Sequence, residues 1–246
     1  MNFWKESYFV VCLVLFLTFG FVSASNAQHT LILAIDVSGS VDDEEMQIQM
    51  DGYANSLQFF PYLEDHYIEV LLFSDYTVQV VDGSLSEVRA WFENWDQSDV
   101  DETRRDTTVR STTREGQEFY SHVQNGSTCV HTVFEHIYDN WDRYPGVVTV
   151  DISGDGNENC VTSQRVQDLT QALAENGAII NSLVIREESR DITFDQALHF
   201  YRTYVTTGQT FVAHTWMDVE ETLYNKISLE ISHIWGLHPY QDVVYY

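Results

Sequence analysis

Lysine is almost missing from this chain. Only Lys5 and Lys226 occur in 246 residues, and with ten arginines they face 38 acidic side chains. The resulting formal charge of −26 repels nucleic-acid phosphates and anionic bilayers and gathers cations at the surface. Nucleic-acid binding is thereby excluded as an expectation, and a saline habitat would account for the acidity as readily as a cation-binding role would. Long apolar runs are also lacking. After residue 27 no segment is long and apolar enough to span a bilayer. The run Tyr8–Phe21 falls short of the roughly 20 residues a spanning helix needs. It leads into Ser23-Ala24-Ser25-Asn26-Ala27, whose small residues at Ser25 and Ala27 suit a signal peptidase. Residues 1–27 therefore read as a signal peptide cut after Ala27, with a retained anchor as the alternative, and the chain from Gln28 as periplasmic or extracellular with no membrane insertion.

Cysteine is scarce as well. Cys12 leaves with the signal, and Cys129 and Cys160 remain as an even pair. In an oxidising compartment such a pair forms a bridge, worth roughly 3–4 kcal/mol on the chain-entropy view, or else stays as two buried thiols. Hydrophobic residues make up 44% of the chain and aromatics 14%, which excludes a disordered chain despite the charge. The length allows one α/β domain with a sizeable core.

The apolar run Leu31–Ile35 reads as a central strand covered on both faces. A helix follows to about Leu57, and its opening Asp42-Asp43-Glu44-Glu45 fits a capping box better than a metal role. Strands are expected at Ile68–Phe73, Thr77–Val81 (a hairpin partner at the sheet edge), Val147–Val150, Ile179–Val184 and Thr210–Ala213. Helices are expected over Ser86–Trp95 behind a serine cap, Cys129–Trp141, Ser163–Asn176 with Gly177 as its C-terminal cap, Phe194–Tyr204 and Met217–Ile234. Tyr53, Trp91, Trp95 and Trp141 fall at helical spacings and read as core. The alternation of strand and helix predicts a doubly wound, mostly parallel six-stranded sheet with one antiparallel edge strand and helices on both faces. The domain runs over 28–234. Within it, 97–126 forms a polar insert carrying Arg104, Arg105, Arg110 and Arg114, which either pair with local acids or contact an anionic ligand. An aromatic tail occupies 235–246.

One phrase occurs twice. Ile35-Asp36-Val37-Ser38-Gly39-Ser40 is echoed by Val150-Asp151-Ile152-Ser153-Gly154-Asp155, each at a strand end. Residues two apart on an extended segment project to the same side, so Asp36, Ser38 and Ser40 can converge, and so can the second set. If the two strands are neighbours at the point where strand order reverses, both turns face one site. Two acids in one cleft repel, and a bound dication removes that conflict. All-oxygen donors suit Mg²⁺, Mn²⁺ or Ca²⁺ over zinc or copper.

Asp36-x-Ser38-x-Ser40 after a buried strand resembles the metal-ion-dependent adhesion site of von Willebrand factor type A domains. More closely, the chain resembles a family of secreted bacterial proteins of unknown function with that fold. The matching stretches are 34–49, Asp151 to Gly156, 177–183, 200–211 and 226–232. The resemblance implies metal ligands at Asp36, Ser38 and Ser40, a second-loop threonine at Thr128 and a third-loop aspartate at Asp155. Asp151 is the rival for that last place, with Ser153 beside it. A Cys129–Cys160 bridge would then tie the second and third loops together, and His131 is either a rim contact or a plain surface histidine. The implied function is Mg²⁺-dependent (or Mn²⁺- or Ca²⁺-dependent) binding of a protein partner that supplies a carboxylate. The alternatives are a metal-assisted hydrolase and a structural module holding no metal. No Ser-His-Asp spacing, Cys-His pair or phosphate loop points to an enzyme, and the oligomeric state is open.

Overall fold

The computed structural model describes residues 28–95, 126–186 and 191–234. The expected signal segment, the arginines of the expected insert and the expected tail lie outside the described residues.

Six strands form one sheet in the order β3-β2-β1-β4-β5-β6. They are β1 (His29–Asp36), β2 (Tyr67–Phe73), β3 (Thr77–Gly83), β4 (Val147–Gly154), β5 (Ile179–Ile185) and β6 (Thr210–Ala213). Every pairing is parallel except β2–β3, the antiparallel edge. All eight residues of β1 are buried, as a strand covered on both faces requires. Among the described residues the α-helices are α1 (Asp43–Leu57), α2 (Leu85–Glu93), α3 (Val130–Asp139), α4 (Ser163–Glu175), α5 (Asp191–Phe200) and α6 (Val219–Ile234).

The two-residue strand period divides the core in two. Leu31, Leu33 and Ile35 pack with Met46, Met50 and Tyr53 of α1, Trp91 and Phe92 of α2, and Leu223 and Ile227 of α6. Ile32 and Ala34 face the opposite layer, with Val133 and Phe134 of α3, Val166 and Leu173 of α4, and Phe200 at the end of α5. Tyr53, Trp91 and Trp95 are buried in the first layer, while Trp141 is partly buried against the second.

Local signals set the helix ends. Asp42 accepts hydrogen bonds from the Glu44 and Glu45 amides at 2.9 Å, and the Glu45 side chain accepts from the Asp42 amide. The acidic run is thus a capping box. The second helix begins earlier than the expected Ser86, because Ser84 and Glu87 form its reciprocal cap. Gly177, at φ +96°, follows α4 in the left-handed region that glycine enters without strain. The fifth helix widens into a π turn at Tyr201–Val205 rather than running on uniformly.

This order places β1 beside β4, with the strands running outward to opposite edges, so the reversal point lies at their carboxyl ends. Asp36 closes β1 there and Gly154 closes β4.

Candidate metal centre

Three chain segments meet at that point. The first is the turn after β1, where the Ser38 amide donates to Asp36 Oδ1 at 2.9 Å and folds the chain back on itself. The second is the approach to α3. It is stitched to the first by the Gly39 amide donating to the Gly126 carbonyl (3.1 Å), and to the end of β2 by the Cys129 amide donating to the Ser74 carbonyl (3.1 Å). The third is the turn after β4, tied to the second by the Asn159 amide donating to the Thr128 carbonyl (3.2 Å).

The side chains converge accordingly. Ser38 Oγ lies 3.0 Å from Thr128 Oγ1 and 3.3 Å from Ser40 Oγ, and Ser40 Oγ donates to Asp155 Oδ1 at 2.6 Å. Five residues from positions as far apart as 36 and 155 therefore share one cluster. Asp36, Ser38, Thr128 and Asp155 are buried, Ser40 is half-buried and Gly39 is exposed, so the cluster opens outward at the Gly39–Ser40 tip.

Two glycines allow the approach. A Cβ on Gly154 would stand 2.6 Å from Tyr201 Oη and 2.9 Å from Asp36 Oδ2, and one on Gly156 would stand 2.8 Å from Thr128 Oγ1. Side chains at either position would fill the space between the donors.

The electrostatics are unbalanced. Burial pushes the Asp36 carboxyl up to about 8, the charge of Asp155 pushes the same way, and only hydrogen bonds from Ser38 oppose them. Glu158 adds further repulsion. Among the described residues no cationic side chain is a cause of that shift. Asp36 Oδ2 is buried without a hydrogen-bond partner among the described residues. The Tyr201 hydroxyl is driven well above its usual range by burial first and then by Asp36 and Asp155. Two carboxylates, one of them with an oxygen that has no donor among the described residues, and three hydroxyls form an all-oxygen set that fits a hard divalent cation.

Asp151 and Ser153 go elsewhere. In the β1–β4 register Leu33 pairs with Asp151 and Ile35 with Ser153. Asp36 is therefore level with Gly154, three residues past Asp151, and an odd offset puts the two aspartates on opposite faces of the sheet. Asp151 lies against Lys226 Nζ, and the Tyr53 hydroxyl reaches Asp151 Oδ1 at 3.4 Å and Ser153 Oγ at 3.3 Å. Ser153 Oγ in turn donates to Gln49 Oε1. The sequence echo is thus real as a phrase but out of step as geometry.

Cys129 and Cys160 are bridged, with Cα atoms 5.4 Å apart. The bridge joins the residue after Thr128 to the loop that carries Asp155. A further grouping, Asp75 with these two cysteines, brings three ligand-type atoms within 4.8 Å, but its sulfurs are already bonded to each other. His131 turns its Nδ1 to Glu158 at 3.2 Å. Glu158, which the sequence reading passed over, is buried and also accepts from the amides of His131 (2.9 Å), Cys160 (2.8 Å) and Val161 (3.2 Å), fixing the third loop. Tyr201 was missed too. Lys226 and Glu230 were legible in principle, since Val219, Leu223, Lys226, Ile227, Glu230 and Ile231 share one stripe of α6.

Sheet order, helix layers and the three-loop site together define the von Willebrand factor type A fold. By sequence the chain belongs to the family described as protein of unknown function (DUF1194), which it matches over residues 26–235. No curated protein matches it. Among solved structures it is similar to proximal thread matrix protein 1 from the mussel byssus (14% identity, 83% of this chain and 48% of that one, TM-score 0.57). A crystal form of that protein has a zinc-occupied MIDAS motif. It is also similar to the hypothetical protein BatB from Bacteroides thetaiotaomicron (11% identity, 84% and 98%, TM-score 0.57) and to the pilus adhesin SpaC from Lactobacillus rhamnosus GG (12% identity, 86% and 31%, TM-score 0.60). The chain spans about half the length of the mussel protein. Among the described residues no helix is long and apolar enough to cross a membrane.

Proposed function

We propose that this is an exported binding module that holds Mg²⁺, Mn²⁺ or Ca²⁺ through Asp36, Ser38, Ser40, Thr128 and Asp155, and through that ion captures an acidic group of a protein partner. The observation that carries the reading is Asp36: fully buried, repelled by Asp155, and with one oxygen lacking a donor among the described residues. A dication relieves all three conditions at once. Hydroxyl ligands donate little charge, so an ion held by two carboxylates keeps affinity for a third carboxylate from outside. The adhesin SpaC and the zinc-bearing mussel protein lend support from the same fold. Binding rather than turnover is the reading, because the site's hydroxyls are hydrogen-bonded within the ligand cluster and His131 is engaged by Glu158.

Calorimetry on the chain from Gln28, with Mg²⁺, Mn²⁺, Ca²⁺ and Zn²⁺, tests the metal step. A saturating ion at a hundredfold excess over its Kd stabilises by about 2.7 kcal/mol, and Asp36→Ala abolishes both the heat and the stabilisation. Absence of any metal-dependent heat or stabilisation in the parent sinks the proposal. For the second step, a glutamate-containing peptide binds only when metal is present; binding that ignores chelator removes the carboxylate reading. A hydrolase screen with metal present returns no turnover.

A further inference from the structure

On the other face of β4 lies a group of ionisable side chains that metal-dependent binding does not use. Asp151 on β4 and Lys226 and Glu230 on α6 are 0%, 0% and 2% exposed. Lys226 Nζ rests directly against Asp151 Oδ1 and lies 3.7 Å from Glu230 Oε1. Tyr53 closes the group from α1, and Asn181 on β5 adjoins Glu230. Around them Leu183, Leu223, Ile227 and Ile231 belong to the apolar core.

Three fixed charges in a dry interior are costly, because their attraction must first offset the loss of hydration. Two carboxylates also outnumber the one ammonium. Burial first, and the charge of Asp151 second, push Glu230 up to about 8, so it keeps its proton at neutral pH. An amine, a carboxyl carbon and a proton carrier are thus held together, with water excluded. Fixed reactants of this kind reach effective concentrations of about 10⁵–10⁸ M.

We propose that Lys226 and Asp151 condense into an internal amide, with Glu230 relaying the proton. One ammonium proton passes to the carboxylate it touches, leaving a free amine beside a neutral acid. The amine nitrogen attacks Asp151 Cγ and the new N–C bond forms. Glu230 gives its proton to the departing oxygen and takes one from the nitrogen, the C–O bond breaks, and water leaves. Of the three ammonium hydrogens, one stays on the amide, one departs in the water, and one replaces the proton that Glu230 gave to the departing oxygen. Glu230 ends protonated as it began, and nothing is oxidised or reduced. The product replaces a buried ion pair by a neutral bond joining α6 to β4, the strand that leads into Asp155.

The intact mass of the purified, disulfide-bonded chain, with its N-terminus determined, decides the matter. The expected mass is one water below that of the sequence with one disulfide. A protease digest yields a branched peptide joining the Asp151 and Lys226 segments. Lys226→Arg and Glu230→Gln both return the full mass. A wild-type chain of full mass, or one whose Lys226 peptide is linear, overturns the proposal whether or not either variant folds. A crosslinked Glu230→Gln chain overturns the relay. Metal plays no part in this readout, so its outcome is independent of the metal-binding reading.

Discussion

Strand β4 delivers two aspartates to two different buried places, and the contrast between them explains the molecule. At Asp151 the fold supplies its own cation: Lys226, which α6 presses into the core against the carboxylate. At Asp155, beyond the strand end, a second acid (Asp36) stands close by, and the Ser40 hydroxyl and the Ser38 amide donate to the pair. One cluster is neutralised from within, and the other is where the proposed cation would be held. The positions are four residues apart in sequence, yet the sheet separates them into a permanently closed interior and an opening at its edge.

Removing the internal cation breaks the comparison most severely. Lys226→Met leaves Asp151 buried with neither an ammonium nor an amide to neutralise it and costs about 3–5 kcal/mol, read from urea unfolding; a loss within error would show that the lysine does not balance it. Next comes the bridge. Cys129→Ser with Cys160→Ser removes a closed loop worth roughly 3–4 kcal/mol and also weakens metal affinity, because Thr128 and Asp155 are no longer tied; unchanged calorimetric affinity would separate the bridge from the site.

The pH dependence of the metal-free chain sharpens the other side. Asp36 has a folded value of about 8 against an ordinary 3.8. Its contribution is therefore fully present below pH ~4 and lost as pH rises towards 8, so stability without metal declines across that window. Glu230, raised for the same first reason, adds to the decline. Asp36→Asn removes the Asp36 share and stabilises the metal-free chain at neutral pH by about 1–3 kcal/mol, while saturating Mg²⁺ removes the same share in the parent. Melting curves at pH 5 and pH 8, with and without chelator, show whether both treatments flatten the slope equally. The smallest effect is expected at Asp42→Ala, which removes a helix cap for about 1 kcal/mol and leaves the metal titration unchanged. A lost metal signal there would mean that the acidic run serves the ion after all.

Much of this was legible in the chain itself. The buried strand at Leu31–Ile35, the capping box at Asp42–Glu45 and Gly177 are local signals whose physics acts within a few residues. The five clustered side chains were found from the motif and the resemblance it carried. Asp151 was misleading, since a repeated phrase says nothing of strand register, and a three-residue offset changes the face. Glu158 and Tyr201 were invisible because their roles depend on contacts across 27 residues and more, with no spacing rule to announce them. Lys226 carried a signal that could have been used: the domain's one lysine falls on the apolar stripe of α6, where an exposed role is ruled out.

The sequence by itself determined the alternation of strands and helices, the caps that bound the helices, the surplus of negative charge and the oxygen-rich turn at Asp36. Each follows from periodicity, backbone preference or composition, which need no partner distant in the chain. Only the tertiary structure decided which aspartate joins that turn. Strand register places Asp155 at the open edge beside Asp36 and turns Asp151 inward to Lys226, and register is set by the packing of the whole sheet.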